Sequence, residues 1–279
     1  VFLTKRHAAP NHITMKRTVC TVLGVLLGAG SVFHASAAVG DQSPALASCL
    51  VRLADNPAAT LREALQWERR GGGLEAGECA ALAQMETGDI KGAAARFDAL
   101  ALAAGQGHSV QAPAGQAARA ASYAAQAARA WLQAGNASSG LKSAREALRW
   151  QPHCLTYEVL LARAQATQND YSASIATLAD LPPQDGESED LVDAYILRAS
   201  DQRHLGNLKS GFNDIAAALV IAPDDSGALL ERGILHMRAG DLAAARADWD
   251  RVIATSPDAH DADLARQDED LLAADPDDP

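Results

Sequence analysis

Ser200, Asp201 and His204 bring a hydroxyl, a carboxylate and an imidazole into a short stretch of sequence, the three groups that nucleophilic acyl transfer uses. At helical spacing His204 reaches Ser200 or Asp201. One helix rarely supplies a whole catalytic constellation together with its oxyanion donors, so the three read as a surface cluster. His153 beside Cys154 offers nitrogen and sulfur to a metal, but no further ligands follow at the spacing of a closed site. Gly71-Gly72-Gly73 lacks the preceding strand and following lysine of a phosphate cradle and reads as a turn. The acidic run from Asp258 to Asp278 has no alternating oxygen ligands around a central glycine, so it reads as a solvated end, not a calcium loop. No catalytic residue, metal or cofactor is therefore assigned, and an enzyme is not expected.

The elements that position these residues begin with an address. Met15-Lys16-Arg17 is a charged start, an apolar stretch runs from about Val19 to Phe33, and Ala35-Ser36-Ala37 supplies small residues where a signal peptidase cuts. The apolar run is short for a membrane span and contains three glycines, so cleavage near Ala38 and export to the periplasm are expected, with no span left afterwards. Residues 1–14 precede this better start at Met15. Losing residues 1–37 removes four basic residues and no acids, which takes the net charge from −11 to −15. So acidic a surface opposes phosphate backbones and anionic lipid, and nucleic acid is not an expected partner.

Export places Cys49, Cys79 and Cys154 in an oxidising compartment after Cys20 leaves with the signal. Three cysteines allow three single pairings, with one thiol left over. Cys49 and Cys79 fall on two consecutive predicted helices separated by the Gly71–Gly73 turn, and that pair is the expected staple. A redox-catalytic site would need a Cys-x-x-Cys spacing, which is absent.

Hydrophobic residues make up 48% of the chain and aromatics only 4%, with Ala and Leu dominant, which favours closely packed helices over sheets. The chain also repeats itself. Segments starting at Leu74, Ala121, Leu155, Val192 and Ser226 align, two of the intervals being 34 residues, with the surplus in the others falling near Gly105–Gly115 and Pro182–Asp190. Small residues recur where two helices must touch: Ala81 with Ala93, Ala128 with Gly140, Ala162 with Ser174, Ala199 with Gly211, and Gly233 with Ala245. Between them stand Gly88-Asp89, Gly135-Asn136, Asn169-Asp170, Gly206-Asn207 and Gly240-Asp241, each able to end one helix and cap the next. Phe97, Leu178, Ile215 and Trp249 put bulk on the second helix, and Pro152, Pro223 and Pro257 follow three of these helices.

The run from Gly227-Ala-Leu-Leu-Glu-Arg-Gly233 through Ala239-Gly-Asp-Leu-Ala-Ala-Ala-Arg246 to Ala254-Thr-Ser-Pro257 resembles a tetratricopeptide repeat, and Ala121 to Pro152 is similar throughout. The likeness extends over about residues 74–259 and points to an exported bacterial member of that family. It implies an all-α, right-handed superhelical solenoid of about five helical hairpins (74–107, 121–154, 155–188, 192–225 and 226–259), with a concave groove lined by the first helices. Residues 38–73 would cap one end. Residues 260–279 would supply a capping helix, with Leu264, Leu271 and Leu272 turned inward, and an acidic tail.

On the face that the resemblance assigns to the groove, Arg129 and Arg163 occupy equivalent places, Arg203 lies three residues beyond the next such place, and Arg238 is close to the same level. A row of guanidinium groups suits an acidic peptide or a C-terminal carboxylate. It equally suits acids on neighbouring helices. The family's chaperone-tail clamp uses asparagines and lysines; here Ala125, Val159 and Ile196 stand in its place, so that function does not carry over. The expected function is a non-catalytic scaffold or assembly factor holding a peptide or protein segment. A metal- or redox-linked periplasmic accessory role built on Cys154 and neighbouring histidines is the second reading.

Overall fold

The computed structural model describes residues 43–106, 114–181 and 188–274; the expected signal segment with Cys20, the Pro182-Pro183 pair and the acidic tail 275–279 lie outside them. Among the described residues there are thirteen α-helices and no strand. The first two, α1 (Pro44–Asp55) and α2 (Pro57–Arg69), each open on a proline, where the missing N–H costs no intrahelical bond. Ser43 and Asn56 cap them by accepting from the amides of Leu46 and Ala59.

Five hairpins follow: α3 (Gly73–Glu86) with α4 (Ile90–Gly105), α5 (Ala114–Gln133) with α6 (Ala137–Trp150), and α7 (Leu155–Thr167) with α8 (Tyr171–Thr177). Then come α9 (Glu189–His204) with α10 (Leu208–Ile221), α11 (Ser226–Arg238) with α12 (Leu242–Thr255), and a single closing helix α13 (His260–Ala274). The five turns share one geometry. Gly88, Gly135, Asn169, Gly206 and Gly240 all have positive φ, the conformation that glycine and asparagine accept most readily. The N–H of the next residue reaches back to a carbonyl of the helix just ended, at Gln84, Trp131, Gln165, Gln202 and His236. The side chains of Asp89, Asn136, Asp170 and Asp241 then cap the following helix. Asn207 is the exception, since its amide turns back to Gln202 Oε1 at 3.0 Å.

All ten small residues are buried at the hairpin contacts. A β-carbon at Gly140 would stand 3.3 Å from the carbonyl oxygen of Ala128, and one at Gly211 the same distance from that of Ala199. At Gly233 the neighbour is a rigid ring: a β-carbon would meet Trp249 Nε1 at 2.3 Å. Phe97, Leu178, Ile215 and Trp249 fill the space one turn further on and are fully buried.

Successive first helices touch one another from α5 through α7, α9 and α11 to α13, whereas each second helix touches chiefly its own partner and the next first helix. The closer approach of the first helices puts them on the concave side of the stack. The unit boundaries are also more varied than the sequence suggests. Helix α5 begins at Ala114, seven residues before the aligned start at Ala121, and α8 has only seven residues where the other second helices have 14 or 16. Leu272 and Leu264 turn inward as expected, but Leu271 is 63% exposed.

Cys49 and Cys79 lie on α1 and α3, not on consecutive helices, with α2 between them in sequence. Their Cα atoms are 6.2 Å apart, a separation that a disulfide spans. Cys154 departs from the expected leftover thiol: it is fully buried at the head of α7 and is not a free cysteine.

This packing makes two positions informative. Gly233→Ala should lower stability by about 1–3 kcal/mol despite the better helix propensity of alanine, because the Trp249 indole has to move. Gly140→Ala, whose β-carbon would meet Leu132 Cγ at 3.0 Å and the Ala128 carbonyl oxygen at 3.3 Å, should cost less than Gly233→Ala, whose β-carbon meets the indole at 2.3 Å; paired thermal melts would show whether the two differ. A Cys49–Cys79 bridge closing a 30-residue separation should add about 3–4 kcal/mol. Intact mass with and without reductant, and the melting temperature of a Cys49→Ser, Cys79→Ala variant, test that.

Candidate functional site

The concave face carries hydroxyls, carboxylates and arginines that tie several of the first helices to the next. Thr156 in the first turn of α7 donates to Asp190 in the first turn of α9, and Ser226 at the head of α11 donates to Asp261 at the head of α13. Ser43 donates to Glu75 in the same way between α1 and α3. Each accepting carboxylate sits at a helix N-terminus, where the helix dipole favours its charge.

The four candidate arginines divide between this framework and the open surface. Arg203 makes a bidentate pair with Glu231 of α11, at 2.6 and 3.2 Å, and also donates to Ser200 Oγ at 3.0 Å. That pair is nearly buried, with side-chain exposures of 13% and 8%, so this guanidinium is a strut between units. Burial pushes the Glu231 carboxyl up while Arg203 pulls it back towards the charged form. Arg163 meets Asp193 of α9 at 3.3 Å across a half-exposed surface. Arg129, half-buried on α5, faces Tyr157 of α7, whose phenol burial pushes up to about 12 against the pull of that cation. Arg238 is exposed at the end of α11. Along the groove, the row is therefore not four equivalent receptors.

Arg203 and Arg238 nevertheless converge. With His204, Gly206 and Leu208 they line a cavity of about 320 Å³ where the C-terminal ends of α9 and α11 meet the turn into α10. The His204 ring lies flat on Tyr171, 4.4 Å between centroids, and its pKa is lowered by burial and by the two arginines. Because Arg203 is paired with Glu231, Arg238 is the exposed cation on this cavity.

Ser200, Asp201 and His204 do not come together. Ser200 accepts from Arg203, His204 stacks on Tyr171, and Asp201 points inward, 1% exposed, towards Ser174 of α8. One Asp201 oxygen has no hydrogen-bond partner among the described residues. His153 is exposed in a left-handed turn while Cys154 is buried, so the two diverge as well. Among the described residues no three metal-binding side chains form a group.

Two arginines that sequence reasoning passed over hold the last hairpins together. Arg198 clasps Asp214 with Nε at 2.9 Å and Nη2 at 2.5 Å, and its other nitrogen donates to the Leu178 carbonyl at 2.7 Å. Arg232 clasps Asp248 in the same way, at 2.8 and 2.5 Å. Both pairs repeat at the 34-residue interval, a signal legible in the alignment once charged positions are read alongside small ones.

The family model for the tetratricopeptide repeat matches residues 205–268, which span α10, α11, α12 and most of α13. Over that stretch the chain matches the tetratricopeptide repeat family. Its fold is similar to that of a thermophilic tetratricopeptide repeat protein in Thermus thermophilus, at 15% identity and TM-score 0.54, covering 72% of this chain and all of the other. A MamA RS-1 double mutant superposes at 12% identity and TM-score 0.50, covering 65% and 93% of the two chains. YrrB, described as a tetratricopeptide repeat protein with an unusual peptide-binding site, gives 15% identity and TM-score 0.46 over 72% and 96%. No curated protein gives a significant match. At such identities the likeness is one of fold, and function rests on this protein's own side chains.

Asp201 offers a test of the seam between the third and fourth repeats. Burial raises its pKa to about 6 from an ordinary 3.8, so the folded protein holds the proton more tightly than the unfolded chain does. Its contribution therefore falls as pH rises from about 4 to about 6 and stays unfavourable above that. Asp201→Asn should raise the melting temperature at pH 7, by roughly 1–3 kcal/mol of stability, and change little near pH 4. Melts of both proteins across that range would show it.

Proposed function

We propose that this tetratricopeptide repeat protein is a non-catalytic interaction module that holds a segment of another protein along its concave face, with acidic side chains of that segment reaching the Arg238 end. The observation that carries this reading is the exposed Arg238 beside Arg203 and His204 on one cavity at the C-terminal ends of α9 and α11. An extended first-helix surface with few large apolar groups exposed suits a polar, reversible ligand. The wider pattern is consistent with a scaffold, because the divergent Ser200, Asp201 and His204 supply no nucleophile, base and oxyanion donors at one point.

Export to the periplasm belongs to the same proposal. It is supported by the charged, apolar and small-residue succession of residues 15–37 and by the oxidising setting that a Cys49–Cys79 bridge needs. Among the described residues His153 is exposed and Cys154 buried, so the two do not form the joint site that the metal- or redox-linked alternative would use.

The Arg203–Glu231 pair decides which substitutions are informative. Replacing Arg203 strands a buried carboxylate and should cost about 3–5 kcal/mol, so loss of binding in such a variant would mean little. Arg238→Glu leaves that pair intact. Binding of fluorescent peptides of graded acidity should strengthen with Asp and Glu content, weaken with salt, and fall about tenfold or more in Arg238→Glu, about 1.4 kcal/mol. Indifference of the protein to peptide acidity, or equal affinities for wild type and variant, would overturn the acidic-segment reading.

A further inference from the structure

Helix α8 is fastened to α9 at two points. Its C-terminal end is held by Arg198, whose Nη1 donates to the Leu178 carbonyl at 2.7 Å while Nε and Nη2 clasp Asp214 of α10. Four residues earlier in α8, and three later in α9, Ser174 lies against the Asp201 carboxyl. Two antiparallel helices bring such positions together one turn apart. Both side chains are shut away from water, Ser174 at 0% exposure and Asp201 at 1%.

The two fastenings differ in how they respond to protons. The Arg198 guanidinium stays charged at any pH at which the protein is folded. At the second point neither Ser174 Oγ nor Asp201 Oδ2 has a hydrogen-bond partner among the described residues, although both are buried. An ionised carboxylate can only accept, and one neutral hydroxyl facing it is a small return for a charge taken out of water. A protonated carboxyl brings an O–H donor of its own, which the serine oxygen can receive without any buried charge.

The surroundings give the Asp201 charge little support. No residue of α8 is charged. On α11 Glu231 adds like charge and is itself held by Arg203, so two buried carboxylates share one guanidinium. On α10 Asp214 is taken by Arg198, and Lys209 is exposed. On α7 Arg163 is turned to Asp193, and Gln165 accepts from Thr177 Oγ1 at 2.8 Å. His204, one turn further along α9, is stacked on Tyr171. Burial therefore outweighs the pull of Ser174 and Arg203 and raises the Asp201 carboxyl to about 6.

We propose that Asp201 and Ser174 form a proton-operated latch on α8, closed when Asp201 carries a proton and donates it to Ser174 Oγ, and open when the carboxyl ionises. With the latch closed, α8 is fixed to α9 at both points. With it open, only the Arg198 tie at the Leu178 end remains, and α8 parts from α9 near Ser174 far enough for water to reach the carboxylate. Helix α8 packs chiefly on α7 and α9, and those two also touch each other directly. The opening therefore loosens the outer layer of the stack at the third repeat and leaves the concave side continuous. It is independent of the groove and of the acidic-segment reading.

Amide hydrogen exchange of the whole protein, read by mass spectrometry and corrected for the intrinsic dependence of exchange on pH, tests the latch. A carboxyl raised from 3.8 to about 6 by the closed state should make the protection of residues 171–178 fall about tenfold between about pH 5 and about pH 8. Protection of α6 and α12 should stay level over the same range. In Asp201→Asn the side-chain amide donates to Ser174 at every pH, so protection of 171–178 should stay high and flat. In Ser174→Ala the proton on Asp201 has no oxygen to meet, so at pH 5 protection of 171–178 should drop below that of the wild type; this second variant decides the matter if the first does not fold. A wild type whose α8 protection is level across the range, or the same slope in Asp201→Asn, would overturn the proposal. So would α6 and α12 losing protection in step with α8, which would mark a change in the stability of the whole stack and not a latch, or Ser174→Ala matching the wild type at pH 5.

Discussion

Backbone approach between the two helices of each hairpin is the constraint on which the rest of this structure depends. Where Gly140 and Gly211 come within reach of a carbonyl on the partner helix, and where Gly233 lies under the Trp249 indole, no larger side chain fits without displacing a neighbour. That closeness allows Phe97, Leu178, Ile215 and Trp249 to close the hairpins one turn later. It also fixes the angle at which each pair presents its first helix to the next. The left-handed turn residues and their backward hydrogen bonds serve the same end, because a hairpin this tight leaves only a few residues for reversal.

Stacking then adds a second, polar layer of specification. Thr156 with Asp190, Ser226 with Asp261 and Arg203 with Glu231 each join neighbouring first helices on the concave side. A buried pair such as Arg203–Glu231 adds little net stability over an apolar contact, but removing one partner leaves a buried charge unpaired. The cost falls on the ligand surface. Groups that hold the stack are not available to a partner, which leaves Arg238 as the exposed member of the arginine row.

The third hairpin is where the regular pattern gives way. Helix α8 is half the usual length, Ser174 replaces the alanine or glycine found in the other second helices, and Asp201 is buried against it. Arg198 compensates in part by donating to the Leu178 carbonyl, which a longer helix would have bonded internally. A short helix and a buried carboxyl with one unpaired oxygen make this seam the least self-sufficient in the stack.

The class of fold and the positions of the hairpins were legible in the amino-acid order because both rest on local rules. A small residue, a glycine or asparagine before a cap, and an apolar residue one turn on are demands that recur at a 34-residue interval whatever the neighbours do. The proximity of Cys49 and Cys79 was legible for a related reason, since a turn brings nearby helices together, although the intervening α2 was not foreseen. The fate of the charged side chains was settled only by the packing of one repeat on the next. Arg129, Arg163, Arg203 and Arg238 look alike in sequence, yet one faces a phenol, two are engaged by acids on the following first helix, and one is exposed. Their partners lie roughly thirty residues away across an inter-repeat contact, and long side chains of three or four rotatable bonds are placed by that contact, not by the period of the helix that bears them.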